Sequence, residues 1–437
     1  MRQRLTLALL ALVVFVAAIV AVPLRGATPV FAKAAADRPA ARPEDVGLSS
    51  ERLKRVTELM QRHIQAGTFP GAVTLIARNG RIAHFEAQGV MDIDTKKPMQ
   101  KDAIFRIMSM TKPIVGVSIL MMVEEGKVHL TDPVSKFIPE FKNLKVAVAD
   151  SGNGPARAGQ PFHTVAPERE ITVRDLLTHT SGLMSGGVST QAGRGLGAKP
   201  GETNAQVLPR LATVPLDFQP GTRWAYSAQY GFDTLVRVVE VASGMPYDQF
   251  AKQRIFEPLG MKDTFFYPTD GNPRVVTLYQ RADGALKKQA NPGFMNGAYF
   301  SGGGGLFTTA EDYLQFGLML LNGGQLNGKR LLAPRTIDLM SSVFAPDTLP
   351  GRPAGEGFGL SVRVVSDPAG RNTYLSKGSF GWSGAYNTHF WVDPKEKIVG
   401  VMMTQIAGLT DRGEVRNDFE TAVMQALVGS GAPVGTN

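Results

Sequence analysis

The apolar positions of this chain fall into an N-terminal run, an early hairpin, a long helical middle and a late set of short strands. The run is uncharged from Leu5 to Leu24. Ser49-Ser50-Glu51 then caps a helix that reaches about Gln65. Between Gly71 and Gly89, Val73–Ala77 and Ile82–Phe85 flank Arg78-Asn79-Gly80-Arg81, and Asn-Gly predicts a hairpin with a type I′ turn. The apolar stretch Ile104–Met108 leads into a helical pattern from Ile114 to Val123. From Thr111 to about Leu259 the pattern is mostly helical, with an amphipathic helix near Phe232–Ala242. Glycine-rich polar loops interrupt it at 150–168 and 185–204; they belong on the surface, as lids, binding walls or disordered connections. Beyond Met261 the candidate strands are Tyr299-Phe300, Gly359–Val365, Asn387–Val392 and Ile398–Met403. Gly328–Asp338 and Glu414–Val428 read as helical regions, the second as a C-terminal helix. No internal repeat is visible. Early strands, a helical middle and late strands predict an α/β plus all-α fold. Its antiparallel sheet, flanked by helices, is built from both chain ends, with a helical domain inserted at about 111–290.

Composition narrows the function classes. The 437 residues are 43% hydrophobic, enough for a sizeable core in one large domain or two ordinary ones. The formal charge of +9 is spread along the chain rather than clustered, so no nucleic-acid partner is expected. Cysteine is absent, which excludes disulfides, a thiol nucleophile, lipidation on cysteine and cysteine-held metal. The six histidines stand at 63, 84, 129, 163, 179 and 389 with no His-Glu-x-x-His pattern, so no metal site is expected either.

The N-terminus reads as an address. Met1-Arg2-Gln3-Arg4 precedes the apolar run, and Ala32-Lys33-Ala34 and Ala34-Ala35-Ala36 follow it. A basic start, an apolar core and small residues describe a secretory signal over 1–34. A flexible leader over 35–47 and one domain over 48–437 then complete the chain. The mature protein is expected to be exported, periplasmic or secreted, with no stable membrane span once the signal is removed. An uncleaved anchor is the alternative, because about 20 apolar residues span a bilayer. Pro23 and the alanine-rich tail favour cleavage.

Ser109-Met110-Thr111-Lys112 is the only Ser-x-x-Lys in the sequence. On a helix, positions i and i+3 share a face, so the amine of Lys112 would stand beside the Ser109 hydroxyl. A serine is a poor nucleophile until a neighbouring base takes its proton. A lysine serves when burial or nearby positive charge lowers its pKa. The bland alternative is a helix-capping serine followed by a solvated lysine. A Ser-His-Asp hydrolase of α/β type would need Gly-x-Ser-x-Gly, which the chain lacks, so Ser383 reads as a strand residue.

Two further motifs follow in order. Pro220-Gly221-Thr222-Arg223-Trp224-Ala225-Tyr226-Ser227 delivers a tyrosine just before an amphipathic helix. Phe380-Gly381-Trp382-Ser383-Gly384-Ala385-Tyr386 opens a strand-like run that ends at Pro394. With the phrases 176–183, 255–261 and 304–312, the chain from about 45 to 430 resembles the serine β-lactamase/penicillin-binding-protein superfamily. Within it, the likeness is to the class C β-lactamase-like esterases (family VIII carboxylesterases). The resemblance implies Ser109 as nucleophile, with Lys112 and Tyr226 sharing its proton. The backbone N–H groups of Ser109 and Ala385 would form the oxyanion hole, and Trp382, Ser383 and Gly384 the substrate wall. Gly302–Gly305 would permit close backbone approach. It also implies a structural role for His179.

The chain departs from the β-lactamase pattern twice. Trp382-Ser383-Gly384 stands where Lys-Thr-Gly binds a β-lactam carboxylate, and Ala228 stands where the second motif carries an asparagine. Both changes favour neutral esters. The expected activity is hydrolysis of a small-molecule carboxylic ester through an acyl-serine, without a cofactor. The alternatives are a β-lactamase or D-amino-acid peptidase acting on cell-wall-like substrates, and a non-catalytic binding scaffold. Nothing in the sequence fixes the oligomeric state.

Overall fold

The computed structural model describes residues 41–152, 154–290 and 297–429. The signal expected over 1–34 and the start of the leader lie outside the described residues.

Eight strands form one antiparallel sheet. They are β1 (Gly71–Arg78), β2 (Arg81–Asp92), β3 (Lys97–Pro98), β4 (Glu356–Phe358), β5 (Arg363–Val365), β6 (Phe380–Ser383), β7 (His389–Asp393) and β8 (Ile398–Met403). The order across the sheet is β4-β5-β6-β7-β8-β1-β2-β3. The two ends of the chain meet where β1 pairs with β8, Val73 opposite Met403 and Arg78 opposite Ile398. The β1–β2 turn holds Asn79 at φ 52° and Gly80 at φ 73°, the left-handed pair that a type I′ hairpin demands.

Both faces of the sheet are covered, so its central strands are apolar on both sides. Along β1, Val73, Leu75 and Ala77 belong to one core cluster, while Ala72 and Ile76 belong to the other. On the second face lie α1 (Ser50–Gln65) and the C-terminal helix. Leu53, Val56 and Met60 pack there with Val415, Phe419 and Trp391. On the first face lie α2 (Thr111–Glu124), α3 (Tyr230–Ser243) and α4 (Ala310–Leu321). The C-terminal helix, α5, spans Arg412–Met424. Every residue of α2 from Thr111 to Met122 is buried, so it is a central helix rather than a surface one. No helix among the described residues is long and apolar enough to cross a membrane.

The architecture agrees with the expected α/β plus all-α fold, but several boundaries differ. Residues 41–47 of the expected leader are packed: Pro43–Val46 is a 3-10 turn, Val46 is buried, and the Ala41 N–H donates to the Ile82 carbonyl. The middle segment is mostly helical as far as Leu259, then Leu278–Ala282 and Ala285–Gln289 form a hairpin. Val146–Ala149 and Phe162–Val165 form another hairpin, its first strand just before the first expected loop and its second strand inside it. The second loop is clamped by Asp217, whose carboxylate accepts from the Ser185, Gly187 and Ser189 backbone N–H groups. Tyr299-Phe300 is not a strand. The single strand expected over Gly359–Val365 is broken at Ser361, which takes φ 70°, so only Arg363–Val365 pairs. The helix expected within Gly328–Asp338 is displaced to Pro334–Met340.

Candidate active site

Ser109 lies on a single 3-10 turn, Met108–Met110, that runs straight into α2. Met108 takes φ 48°, a conformation a bulky residue holds only under tertiary constraint. Gly304 packs against it; a Cβ there would stand 3.4 Å from the Met108 Cα. One helical turn beyond the serine, Lys112 is fully buried. Its Nζ is 3.2 Å from Ser109 Oγ, 2.6 Å from the Ala228 carbonyl oxygen and 2.7 Å from that of Gly303. Carbonyls only accept. They take two N–H donors and leave one position of the nitrogen facing the serine: a third N–H when charged, a lone pair when neutral. In the neutral form this arrangement can draw the proton from Ser109.

Two buried side chains aim those carbonyls. The Ala225 N–H donates to the His179 carbonyl at 3.0 Å, and the Ser227 N–H to His179 Nδ1 at 3.2 Å. His179 thus grips the chain on both sides of Tyr226. Burial, with Lys112 and Arg352 nearby, holds its pKa well below the usual histidine value. The neutral ring keeps its proton on Nε2 because Nδ1 accepts. Asp233 of α3 accepts from Tyr299 Oη at 2.6 Å, Ser301 Oγ at 2.9 Å and the Gly303 N–H at 2.9 Å. Burial pushes its carboxyl pKa up. Gly303 has no room for a side chain, since a Cβ would come within 2.6 Å of Gln229 Cα.

Tyr226 lines the same cavity as Ser109, a space of about 410 Å³. Its ring centroid lies 4.9 Å from Lys112 Nζ and 4.6 Å from that of His179. Among the described residues, the Tyr226 hydroxyl makes no hydrogen bond to Ser109 or Lys112. The expected sharing of one proton therefore has only half of its geometry here; Lys112 meets the face of the ring. Catalytic hydrogen bonds of this kind often tighten only with substrate in place.

Trp382, Ser383, Gly384 and Ala385 all reach the cavity. The Trp382 ring lies 5.5 Å from Tyr226 and 5.1 Å, edge-on, from Phe358, which makes one aromatic wall. Ser383 does more than occupy a strand. Its Oγ is 2.8 Å from His389 Nδ1, and His389 Nε2 is 3.0 Å from Glu420 Oε1. Burial, then Arg363 and Arg416, bring the His389 pKa down to about 4 despite Glu420. Burial opposes ionisation of Glu420, but Arg363 and His389 hold its pKa well below the usual range. A carboxylate accepts, so Nε2 carries the proton and Nδ1 takes the Ser383 O–H. The Ser383 oxygen is left only to accept.

The sequence reading missed the opposite wall. Glu356, Arg363, Arg412 and Arg416 also line the cavity. Arg412 and Arg416 stand one turn apart on α5, a spacing that in sequence reads as a solvated helix face. The carbonyls of Ala228 and Gly303 leave no sequence signal, since any residue carries one.

The family model described as Beta-lactamase matches residues 56–425. Protein Rv1367c of Mycobacterium tuberculosis is 36% identical over 356 residues, 78% of this chain and 86% of its own. Esterase EstB of Burkholderia gladioli is 31% identical over 380 residues, 81% of this chain and 90% of its own. The solved structure of EstCE1, described as a hydrolase with promiscuous acyltransferase activity, superposes with a TM-score of 0.72 at 29% identity, covering 86% of this chain and 99% of that one. By the span of that match and the shared fold, the chain belongs to the beta-lactamase family.

Proposed function

We propose that this protein is a serine hydrolase that cleaves small carboxylic esters through an acyl intermediate on Ser109. The single observation that carries the reading is the placement of Lys112 Nζ, 3.2 Å from Ser109 Oγ with its other two directions held by carbonyls. Neutral Lys112 accepts the Ser109 proton as Oγ attacks the ester carbonyl. The oxyanion forms against the backbone N–H groups of Ser109 and Ala385. The C–O bond of the ester then breaks, the proton from Lys112 leaves with the alcohol, and the acyl group stays on Ser109. Water attacks the acyl carbonyl by the same route and returns the proton to Ser109. Tyr226 stands across the lysine and assists these transfers. Trp382 packs the apolar part of the ester. The likeness to EstB and EstCE1 supports ester cleavage rather than another use of the fold. Export by the N-terminal signal belongs to the same proposal, and cell fractionation checks it.

Purified protein incubated with p-nitrophenyl acetate or butyrate should turn over, and a fluorophosphonate should label Ser109. No turnover and no labelling would remove the proposal in favour of a binding scaffold. The cationic wall of Arg412 and Arg416 favours a second reading, in which the substrate carries a carboxylate, as β-lactams and cell-wall peptides do. Nitrocefin turnover comparable to ester turnover would put that reading first.

A further inference from the structure

One peptide unit at the cavity has a cation behind it. Ala385 lines the cavity with Ser109, and among the described residues no acceptor takes its N–H. The carbonyl of the same amide, that of Gly384, accepts from Arg416 Nη2 at 2.5 Å and from the Asn387 N–H at 3.1 Å. The next carbonyl, that of Ala385, accepts from Arg412 Nη1 at 3.2 Å. In a planar trans amide the C=O and N–H point in opposite directions. The guanidinium of Arg416 therefore sits on the opposite side of this amide from the Ala385 N–H.

The peptide is held close to the nucleophile by packing. A Cβ on Gly384 would come within 2.3 Å of the Ile107 carbonyl oxygen and 2.2 Å of Thr388 Oγ1. Only glycine lets this strand end lie against the turn that carries Ser109. Thr388 Oγ1 donates to that same Ile107 carbonyl at 3.1 Å, which ties the two segments together.

The charge on the two arginines is not cancelled locally. Glu356 and Glu420 are taken by Arg352, Arg363 and Arg371. Among the described residues, no carboxylate lies within ion-pair distance of Arg412 or Arg416. Both occupy the first turns of α5, where the helix dipole is positive and gives a cation no relief. Arg416 Nε is buried without a partner. Burial, with Arg412 and Arg363 close by, brings the Arg416 pKa down to about 9. The site thus holds positive charge that only an incoming negative charge would balance.

We propose that Arg416, with Arg412 beside it, is a positioning residue of the oxyanion hole: it fixes and polarises the Gly384–Ala385 peptide so that the Ala385 N–H meets the developing oxyanion. A charged donor on the carbonyl strengthens the N–H at the other end of the amide, because hydrogen bonds in series polarise one another. The stabilisation grows as the carbonyl oxygen gains charge, so it acts on the transition state more than on the bound ester. This inference rests on the acyl-serine reading above.

The experiment compares full-length wild type, Ser109→Ala, Arg416→Met and Arg416→Lys. It reads kcat and KM on p-nitrophenyl butyrate and on the p-nitrophenyl hemiester of succinate, which carries a carboxylate. It also reads the infrared carbonyl stretch of the ¹³C-labelled butyryl-enzyme, with melting curves alongside. Arg416→Met should lower kcat on both esters about tenfold to a hundredfold, less than the 10²–10³ expected for losing an oxyanion donor outright, with KM little changed. Its acyl carbonyl stretch should move toward the free-ester value. Arg416→Lys should recover part of both, since it restores the charge without the fork. A loss confined to the succinate ester would overturn the proposal and make Arg416 a substrate-anion contact. So would wild-type kcat on butyrate, or slowed turnover with an unmoved carbonyl stretch. If wild type itself shows no Ser109-dependent turnover, it is the acyl-serine reading that fails.

Discussion

Lys112 Nζ stands 3.2 Å from Ser109 Oγ at the end of a nitrogen whose other two contacts are main-chain carbonyls. Those carbonyls hold the amine by hydrogen bonds but take no proton from it, so its exchange is with the serine. Ser109→Ala should abolish labelling by a fluorophosphonate while leaving the melting temperature near that of wild type. Lys112→Ala should slow ester turnover by about 10²–10⁴, the usual scale of general acid–base help. A Lys112→Ala variant within a few-fold of wild type in kcat would dismiss the lysine as base.

Tyr226 supplies the test of whether two groups act as one. Tyr226→Phe keeps the ring that covers Lys112 Nζ at 4.9 Å and removes only the hydroxyl. It should cost about 10²–10⁴ in kcat. Combined with Lys112→Ala, the loss should fall well short of the product of the two single losses, because groups that share a step are strongly non-additive. Multiplicative losses would assign the two residues to separate steps.

Trp382 is set against Tyr226 and Phe358. Trp382→Lys adds a cation for a substrate carboxylate and removes an apolar wall. The ratio of kcat/KM for nitrocefin to that for p-nitrophenyl butyrate should rise by about tenfold or less, roughly 1.4 kcal/mol of differential transition-state binding. The limit is modest because Ala228 still offers no side-chain amide. An unchanged ratio with a lowered melting temperature would mean that Trp382 serves packing alone.

Stability should carry a pH signature from α4. Asp312 accepts from the Asp263 N–H at 2.7 Å and from Thr264 Oγ1 at 2.9 Å. Burial, with Asp263 and Glu311 nearby, pushes its carboxyl pKa up to about 6, against 3.8 for a free aspartate. A raised carboxyl binds its proton more tightly in the folded state. Its contribution is therefore full below about pH 4 and is lost as the pH rises through about 6. Urea titrations of wild type and Asp312→Asn should show the wild-type advantage shrinking by about 3 kcal/mol between pH 4 and pH 7. A difference flat with pH would show that Asp312 titrates normally.

What the sequence made legible follows the range of the forces involved. Ser109 and Lys112 are neighbours on one helical turn, so their contact needs only local geometry. The strand Ile398–Met403 appears with the expected bounds because all six of its residues are buried, which forces a continuous apolar run. Tyr299-Phe300 misled because its burial has a distant cause. Asn204 takes over the role of a strand partner: it donates from Nδ2 to the Phe300 carbonyl at 3.0 Å and accepts from the Phe300 N–H at 2.8 Å. Gly359–Val365 misled because Ser361 turns left-handed and gives its N–H to the Leu177 carbonyl at 3.0 Å. Arg416 was invisible because nothing in an α-helical charge pattern tells which face the fold will cover.

The two carbonyls that grip Lys112 lie 116 and 191 positions away along the chain. An incompletely folded chain can bring Ser109 and Lys112 together on one turn, yet it lacks both acceptors. Its lysine side chain then swings freely in water, no longer aimed at the serine, and its serine is as unreactive as any other. Reactivity switches on only when the segment after Tyr226 and the glycine turn held by Asp233 have both closed over the amine. The nucleophile is thereby kept harmless until its cavity exists, and esterase activity becomes a stricter report of complete folding than the helix and sheet content around it.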